Sequence, residues 1–594
     1  MTLRFLRLGA ALTLLGAAAC TGTLGSATDD PDQGGSGGGS SNASGGSGSG
    51  KTGGKGATGA TGTGSSSGGS TTPGATGGSG GTDTTAVQLN LTGSPQYFRF
   101  VRLSNDQWAN STRDLLGGLT DGADLASTFS DPVPGMTDFI NNELLLAVDG
   151  KSWGNYQTAS EALAAKVTAT DAALAKVYSG TDAAGFIAKF GRRAYRRELT
   201  AAEKSTYMTL FTSGSTLTGS RSAFAKGASL VIRAMLQSPY FLYRTEMTDA
   251  GKPLSAYEMA AKLSLWLRNT TPSDTLLDSA AGPGKLDTAD GAVTLAKTML
   301  EEPTATSVMR SFHGQFLHFD RFSNLSKTGV ANYTTDINPE LQEASYQFFD
   351  KIFTKGLGLK DVFTSTKGFV GPQMAKLYGN GVTAPASGYA ETDLGAKRVG
   401  FFNQLPFLML YAHNADSDSI HRGVSMNLDV LCSTLGPPAA VIPPLPTRQP
   451  GQTNRMVVDM ATSGCGQQCH NAMINPMGFS FEHFDGMGQY RDQEVHGSES
   501  LPIDASGSFA FIDGRKSYKD SSELMQILVS EPQAHECFVK KLASFGLQRD
   551  VIDKDMPLIT ALTNSSMGST GSIKQVILDL VKQDAFRTHV GGAQ

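Results

Sequence analysis

The chain has 594 residues, a formal net charge of −5, 17% charged residues and no basic block. That balance excludes nucleic acid as a partner, because phosphate binding needs a concentrated positive face. Behind a Gly/Ser-rich N-terminal region about 500 residues remain, enough for several domains with their own cores.

The first residues read as a signal peptide: Arg4 and Arg7 supply the positive start, and residues 8–19 form an apolar run too short to span a bilayer. Cys20 follows Ala17, Ala18 and Ala19, a placement that points to lipid attachment after cleavage; ordinary cleavage near Ala19 without lipid is the alternative. No later apolar run approaches the roughly 18 residues of a membrane-spanning helix, so none is expected. Residues 21–84 are mostly Gly, Ser and Thr. A segment of that composition cannot bury enough surface to offset its ordering entropy, and it reads as a flexible tether with a mean span on the order of 40 Å.

The body that follows reads as helical. In residues 98–117, Ser104 is a candidate N-cap and Gly117 a candidate C-cap, with Trp108, Leu115 and Leu116 on one face. Residues 157–178 are Ala-rich and helical in composition. Thr200 and Glu203 make a capping box that opens a helix within 183–213. Just before it, Arg192, Arg193, Arg196 and Arg197 form a basic cluster, able either to grip an anion or to pair with carboxylates at a solvated helix end. Residues 221–247 predict one long helix. Ser255 and Glu258 form a second capping box, opening a helix in which Leu263, Trp266 and Leu267 repeat at spacings of three and four, and Pro272 stops it. Residues 291–322 hold a helix pair with His313 and His318, whose spacing of five puts them on different faces as core or surface histidines. Residues 338–356 and 395–411 are again helical, residues 437–446 form a Pro-rich stiff linker, and strand signals are short, as in 506–512.

The predicted fold class is therefore mainly α: a multi-domain helical body behind a disordered Gly/Ser/Thr-rich tether, with few short strands. The expected segments are a signal peptide at 1–19, the lipid-bearing cysteine and linker at 20–85, helical domains at 86–150, 151–250 and 251–390, a cysteine–histidine domain at 391–513 and a helical C-terminal domain at 514–594.

Chemistry concentrates in residues 463–491. Cys465 and Cys469 stand there with His470 directly after them. Cys-x-x-Cys-His is the attachment signature for c-type haem: the thiols form thioethers and the imidazole becomes the proximal iron ligand. Here three residues, not two, separate the cysteines. Two further readings stay open: a local Cys465–Cys469 disulfide, and a zinc site completed by His483 or His496. The sixth haem ligand is not readable; Met473, Met477, Met487, Met456, Met460 and His413 are the candidates. In the run that follows, Gly478 permits a close turn, Phe479, Phe481 and Phe484 supply core, and Glu482 and Asp485 could cap the turn or do acid–base work. With Cys20 assigned to lipid and the 465/469 pair to haem, Cys432 and Cys537 remain, either as a disulfide or as two buried thiols.

Several of these stretches resemble a family of bacterial envelope proteins built of consecutive domains of unknown function: fifteen-eighty-seven, fifteen-ninety-five, fifteen-ninety-two, fifteen-eighty-eight and fifteen-eighty-five. The residues are 102–117 for the first, Arg192 to Thr200 for the second, and 238–244 with 261–267 for the third. Residues 398–408, 422–424 and 465–491 resemble the fourth, and 537–547 the fifth. Asn475-Pro476-Met477-Gly478-Phe479 and Glu482-His483-Phe484-Asp485 stand where the family carries Asp-Pro-Leu-Gly-Phe and Glu-x-Phe-Asp. The resemblance implies a cytochrome-like protein of the cell envelope and supplies no substrate.

The function expected is that of an exported, lipid-anchored protein at the periplasmic or outer cell surface, with one haem c and a redox role. Its partners would be the membrane, through the lipid, and a redox protein. Whether it is a haem-dependent oxidoreductase or a plain electron carrier stays open. The alternative is a cofactor-free binding or scaffold lipoprotein with a Cys465–Cys469 disulfide. No Gly-x-Ser-x-Gly elbow, His-Glu-x-x-His or phosphate loop supports a hydrolase.

Overall fold

The computed structural model describes residues 99–589 apart from 130–136, 283–284, 328–329, 331–332, 380, 413–415, 437–443 and 465–467. The expected signal peptide, Cys20, the tether, His413, Cys465 and most of the 437–446 linker lie outside the described residues.

The body is mainly helical, and among the described residues the strands form four separate antiparallel pairs. Local chemistry places the helix starts. Ser104 caps Asn105–Leu115 in a capping box with Gln107. Thr200 and Glu203 open Ala201–Ser213, and Ser255 and Glu258 open Ala256–Leu267, both by the same reciprocal bonding. The expected pair in 291–322 is Ala289–Met299 and Pro303–Phe316, followed by the 3-10 turn Phe319–Asn324.

Two expected helices differ. The pattern in 221–247 is one helix, Ala223–Gln237, then a single turn Pro239–Leu242 and a strand Tyr243–Glu246. Ser238 is extended before Pro239, which ends the first helix, and the strand pairs with Arg99–Arg102 in the register Arg102↔Tyr243. Residues 395–411 are helical only over Leu405–Leu410, after the 3-10 turns Ala396–Arg398 and Phe401–Asn403. Gly395 and Gly400 both take φ +80°, a left-handed conformation that a continuous helix does not contain.

The described part has two hydrophobic cores. The smaller gathers residues from Leu103 to Leu242, with Leu265; the larger runs from Phe139 and Leu254 to Phe586. The helix Ala256–Leu267 stands between them. Leu265 faces the smaller core while Leu263, Trp266 and Leu267 face the larger, and every residue from Met259 to Leu267 is buried. A helix apolar on nearly all sides needs cover on all sides.

That helix also carries Lys262 into a buried ion network. Its Nζ lies 3.3 Å from Glu246 Oε1 and donates to the Phe586 carbonyl at 2.7 Å. Arg244 also bonds Glu246, and Arg99 reaches Glu143 at 2.7 Å and the Leu547 carbonyl at 2.8 Å. Burial alone would raise the Glu246 carboxyl, but Lys262, Arg244 and Arg99 together hold it well below the usual carboxylate range. The network joins the first strand pair, the central helix and the C-terminal helices.

Cys432 and Cys537 form a disulfide across a sequence separation of 105, with Cα atoms 5.2 Å apart. It ties the segment after Met426–Val430 to the helix Pro532–Leu547.

Candidate functional site

The helix Asn454–Thr462, capped by Thr453, leads into the cysteine segment. After it the chain passes Cys469 and winds through a π-helical turn, His470–Ile474, into the helix Asn475–Phe479. The Ile474 amide donates to the Cys469 carbonyl at 2.9 Å, the five-residue bond of a π turn. A second π turn, Met426–Val430, follows the helix Ser419–Ser425. Asn427 links the two: its Nδ2 donates to the Gly423 carbonyl at 2.8 Å and to the Met473 carbonyl at 3.0 Å.

Glycines set the closeness of this pairing. A Cβ on Gly423 would lie 2.1 Å from the Ile474 carbonyl oxygen. Gly478 therefore serves a helix crossing, not the turn that the sequence pattern suggests. Beneath the crossing, the buried Arg422 guanidinium donates to the carbonyls of Phe484 at 2.7 Å, Leu408 at 3.0 Å and Asp485 at 2.6 Å. It fixes the turn in which Phe479, Phe481 and Phe484 are buried. Burial depresses the Arg422 pKa to about 10.

The carboxylates of this run are structural. Asp485 Oδ1 accepts from the amides of Met487 at 2.9 Å and Gln489 at 2.8 Å, closing the turn. Glu482 is buried and accepts from Ser417 Oγ at 2.6 Å, with Arg491 Nη2 3.5 Å away.

His470 is half-buried, and its Nδ1 lies 3.3 Å from Asn475 Oδ1. The amide orientation of Asn475 is set on its other side, where Nδ2 donates to Thr462 Oγ1 at 2.8 Å. The carboxamide oxygen can only accept, so His470 Nδ1 carries the proton and Nε2 keeps its lone pair. Nε2 makes no hydrogen bond among the described residues. Burial lowers the His470 pKa, with the Asn475 bond opposing that shift, so the ring is held neutral. Beside it Cys469 is a half-buried free thiol.

Cys469 and His470 are donors of the kind that hold a c-type haem, and Cys465, the other cysteine of the motif, lies outside the described residues. A metal-ligating histidine typically gives its other N–H to an acceptor that fixes tautomer and ring direction, and Asn475 is placed to do that. Asn475 stands where the resembling family carries Asp, and both residues offer an acceptor oxygen at that position. Thr462 and Asn427 carry no sequence signal that marks them, and Arg422 is marked only through the resemblance of residues 422–424 to the fourth domain.

The other candidates sort themselves by burial. Met477 and Met487 are packed in the larger core, and Met473 packs against it. Met456 and Met460 are 54% and 49% exposed on the helix Asn454–Thr462. His483 stacks on Tyr490 and donates from Nδ1 to the Arg491 carbonyl at 3.0 Å, and His496 bonds Glu494. Among the described residues no group of three or more His, Cys, Asp or Glu side chains is placed to hold a metal ion. His313 is a core residue stacked on Phe349 at 4.4 Å, and His318 lies 3.5 Å from Asp429. The arginine cluster pairs internally: Arg192 with Glu198 and Asp278, Arg197 with Glu203, and Arg196 with the carbonyls of Tyr240, Phe241 and Tyr243.

Four family models match the chain in consecutive order. Each is described as a protein of unknown function: DUF1595 over residues 182–246, DUF1592 over 254–379, DUF1588 over 398–494 and DUF1585 over 514–586. The third, labelled PSCyt3, spans Cys469, His470 and Asn475. The domain expected over residues 102–117 is not among these four. No curated protein and no solved structure matches the chain. The chain belongs to the family of proteins assembled from these consecutive domains of unknown function.

Proposed function

We propose that the protein is an exported, lipid-anchored, cytochrome-like redox protein that carries one c-type haem on Cys465, Cys469 and His470. The observation that carries this reading is the His470–Asn475–Thr462 chain of contacts beside the free Cys469 thiol. When bound, the haem would supply a one-electron iron couple. The chain's own part is to present two sulfurs for attachment and to hold His470 neutral, with Nε2 available and Nδ1–H engaged by Asn475. Cys20 would receive the lipid, and the tether would let the body stand off the membrane to meet a redox partner.

The test is the pyridine haemochrome spectrum and intact mass of full-length protein matured in a host that attaches haem c. A covalent haem band, lost in Cys469→Ser, is the expected result. A colourless chain with both thiols unmodified overturns the proposal and leaves a tethered scaffold. The same mass measurement reports the lipid on Cys20.

A further inference from the structure

Cys432 takes φ +48°, a left-handed backbone that a residue with a side chain disfavours. Its sulfur is bonded to Cys537, on the helix Pro532–Leu547. Cys537 is only 1% exposed, whereas Cys432 is half-buried, so solvent reaches one end of the bond and not the other. Disulfides with strained or exposed ends are the labile ones, open to exchange with thiols.

This bond is anchored beside the turn that presents His470. The Leu431 amide donates to the Met426 carbonyl at 3.1 Å, and the Ser433 amide donates to the Asn427 carbonyl at 2.8 Å. Cys432 stands between those two amides, and its left-handed backbone carries the Ser433 amide back to Asn427. The Asn427 side chain in turn donates to the Met473 carbonyl at 3.0 Å. Met473 belongs to the π turn His470–Ile474, in which the amides of Met473 and Ile474 donate to the Cys469 carbonyl at 3.1 and 2.9 Å. From the disulfide to that turn the path is one strained residue and one carboxamide.

We propose that the Cys432–Cys537 bond is a redox switch that sets how firmly the chain holds the His470 turn. A dithiol supplies two electrons and two protons: the S–S bond breaks, Cys432 and Cys537 become thiols, and the dithiol closes into its own disulfide. Cys432 then relaxes out of the left-handed region, the Ser433 amide leaves the Asn427 carbonyl, and Asn427 loosens its hold on Met473. Gln533 Nε2, 3.1 Å from the Leu431 carbonyl, keeps the segment near its partner helix, so reoxidation restores the bond. The switch needs no haem and is separate from the iron couple proposed for the site.

The test is peptide-resolved hydrogen exchange of the full haem-free chain, with and without dithiothreitol. Cys465→Ser and Cys469→Ser are placed in the background, so that no other disulfide forms in the cysteine segment. Reduction should speed amide exchange in residues 470–475 about tenfold, the effect of roughly one lost hydrogen bond, and reoxidation should reverse it. The helix Ala223–Gln237, in the smaller core, should keep its protection. Asn427→Ala should give the fast exchange in both redox states, and if that variant does not fold, the comparison of oxidised and reduced parent decides alone. Unchanged protection of 470–475 in a chain whose mass shows both thiols overturns the proposal. So does loss of protection throughout the chain, which marks unfolding, or a redox effect that persists undiminished in folded Asn427→Ala.

Discussion

Gly478 packs against the backbone of Ser419 so closely that a Cβ on the glycine would lie 1.8 Å from the Ser419 carbonyl oxygen. Two backbones meet here with no side chain between them, and the obstacle is a carbonyl that cannot rotate away. Gly478→Ala should therefore force the helices Ser419–Ser425 and Asn475–Phe479 apart and destabilise the protein by about 3 kcal/mol. Denaturant unfolding of the variant against the parent measures this; an unchanged midpoint would show that the crossing is not tight in solution.

The His470–Asn475 contact makes a prediction with two signs. Asn475→Leu removes the bond that opposes desolvation, so the His470 pKa should fall further below its ordinary value. Asn475→Asp keeps the acceptor and adds a negative charge, so the pKa should rise. Ring-proton NMR titration of the haem-free chain, with His470→Gln to assign the signal, reads both. Movement in the same direction for the two variants would mean that the side chain at 475 does not face the ring.

His313 links stability to pH. Its Nδ1 bonds the Met309 carbonyl at 2.9 Å, and burial pushes its pKa from 6.5 down to about 3. Between those values the unfolded chain binds a proton that the folded chain does not. The stability this neutral ring contributes is complete above pH 6.5 and is lost as pH falls toward 3, at about 1.4 kcal/mol per pH unit. Stability–pH curves of the parent and His313→Phe should differ by that slope within this window and run parallel above it.

The Cys432–Cys537 bond closes a loop of 105 residues. Restricting an unfolded chain over that length stabilises the native state by about 4–5 kcal/mol. Replacing both cysteines with serine should lower the denaturation midpoint accordingly. Reducing agent should move the parent toward the variant and leave the variant itself unchanged.

Helix starts were the most legible part of the sequence, because a capping box is local chemistry. Thr200 with Glu203 and Ser255 with Glu258 bond within four residues of themselves, whatever surrounds them. The strand Tyr243–Glu246 was not legible, since among the described residues its strand partner is Arg99–Arg102, more than a hundred residues earlier. A local pattern cannot register a pairing that distant. The breaks at Gly395 and Gly400 are backbone conformations that composition alone does not display. In the site, the cysteines and His470 stood out by spacing, whereas Asn475 acts through an acceptor that only the folded chain turns toward the ring. At Gly478 the sequence shows the missing side chain and suggests a turn, whereas the folded chain uses it for a crossing.

The contact of Lys262 with the Phe586 carbonyl spans 324 residues. The Gly251 amide bonds the His589 carbonyl at 2.8 Å, and the His589 amide bonds the Lys252 carbonyl at 2.9 Å. The central helix is translated in the first half of the chain, yet the acceptor for its buried ammonium is made near the other end. Until residue 586 has been synthesised, this helix has one flank without cover. The nascent protein therefore remains partly open through most of its synthesis.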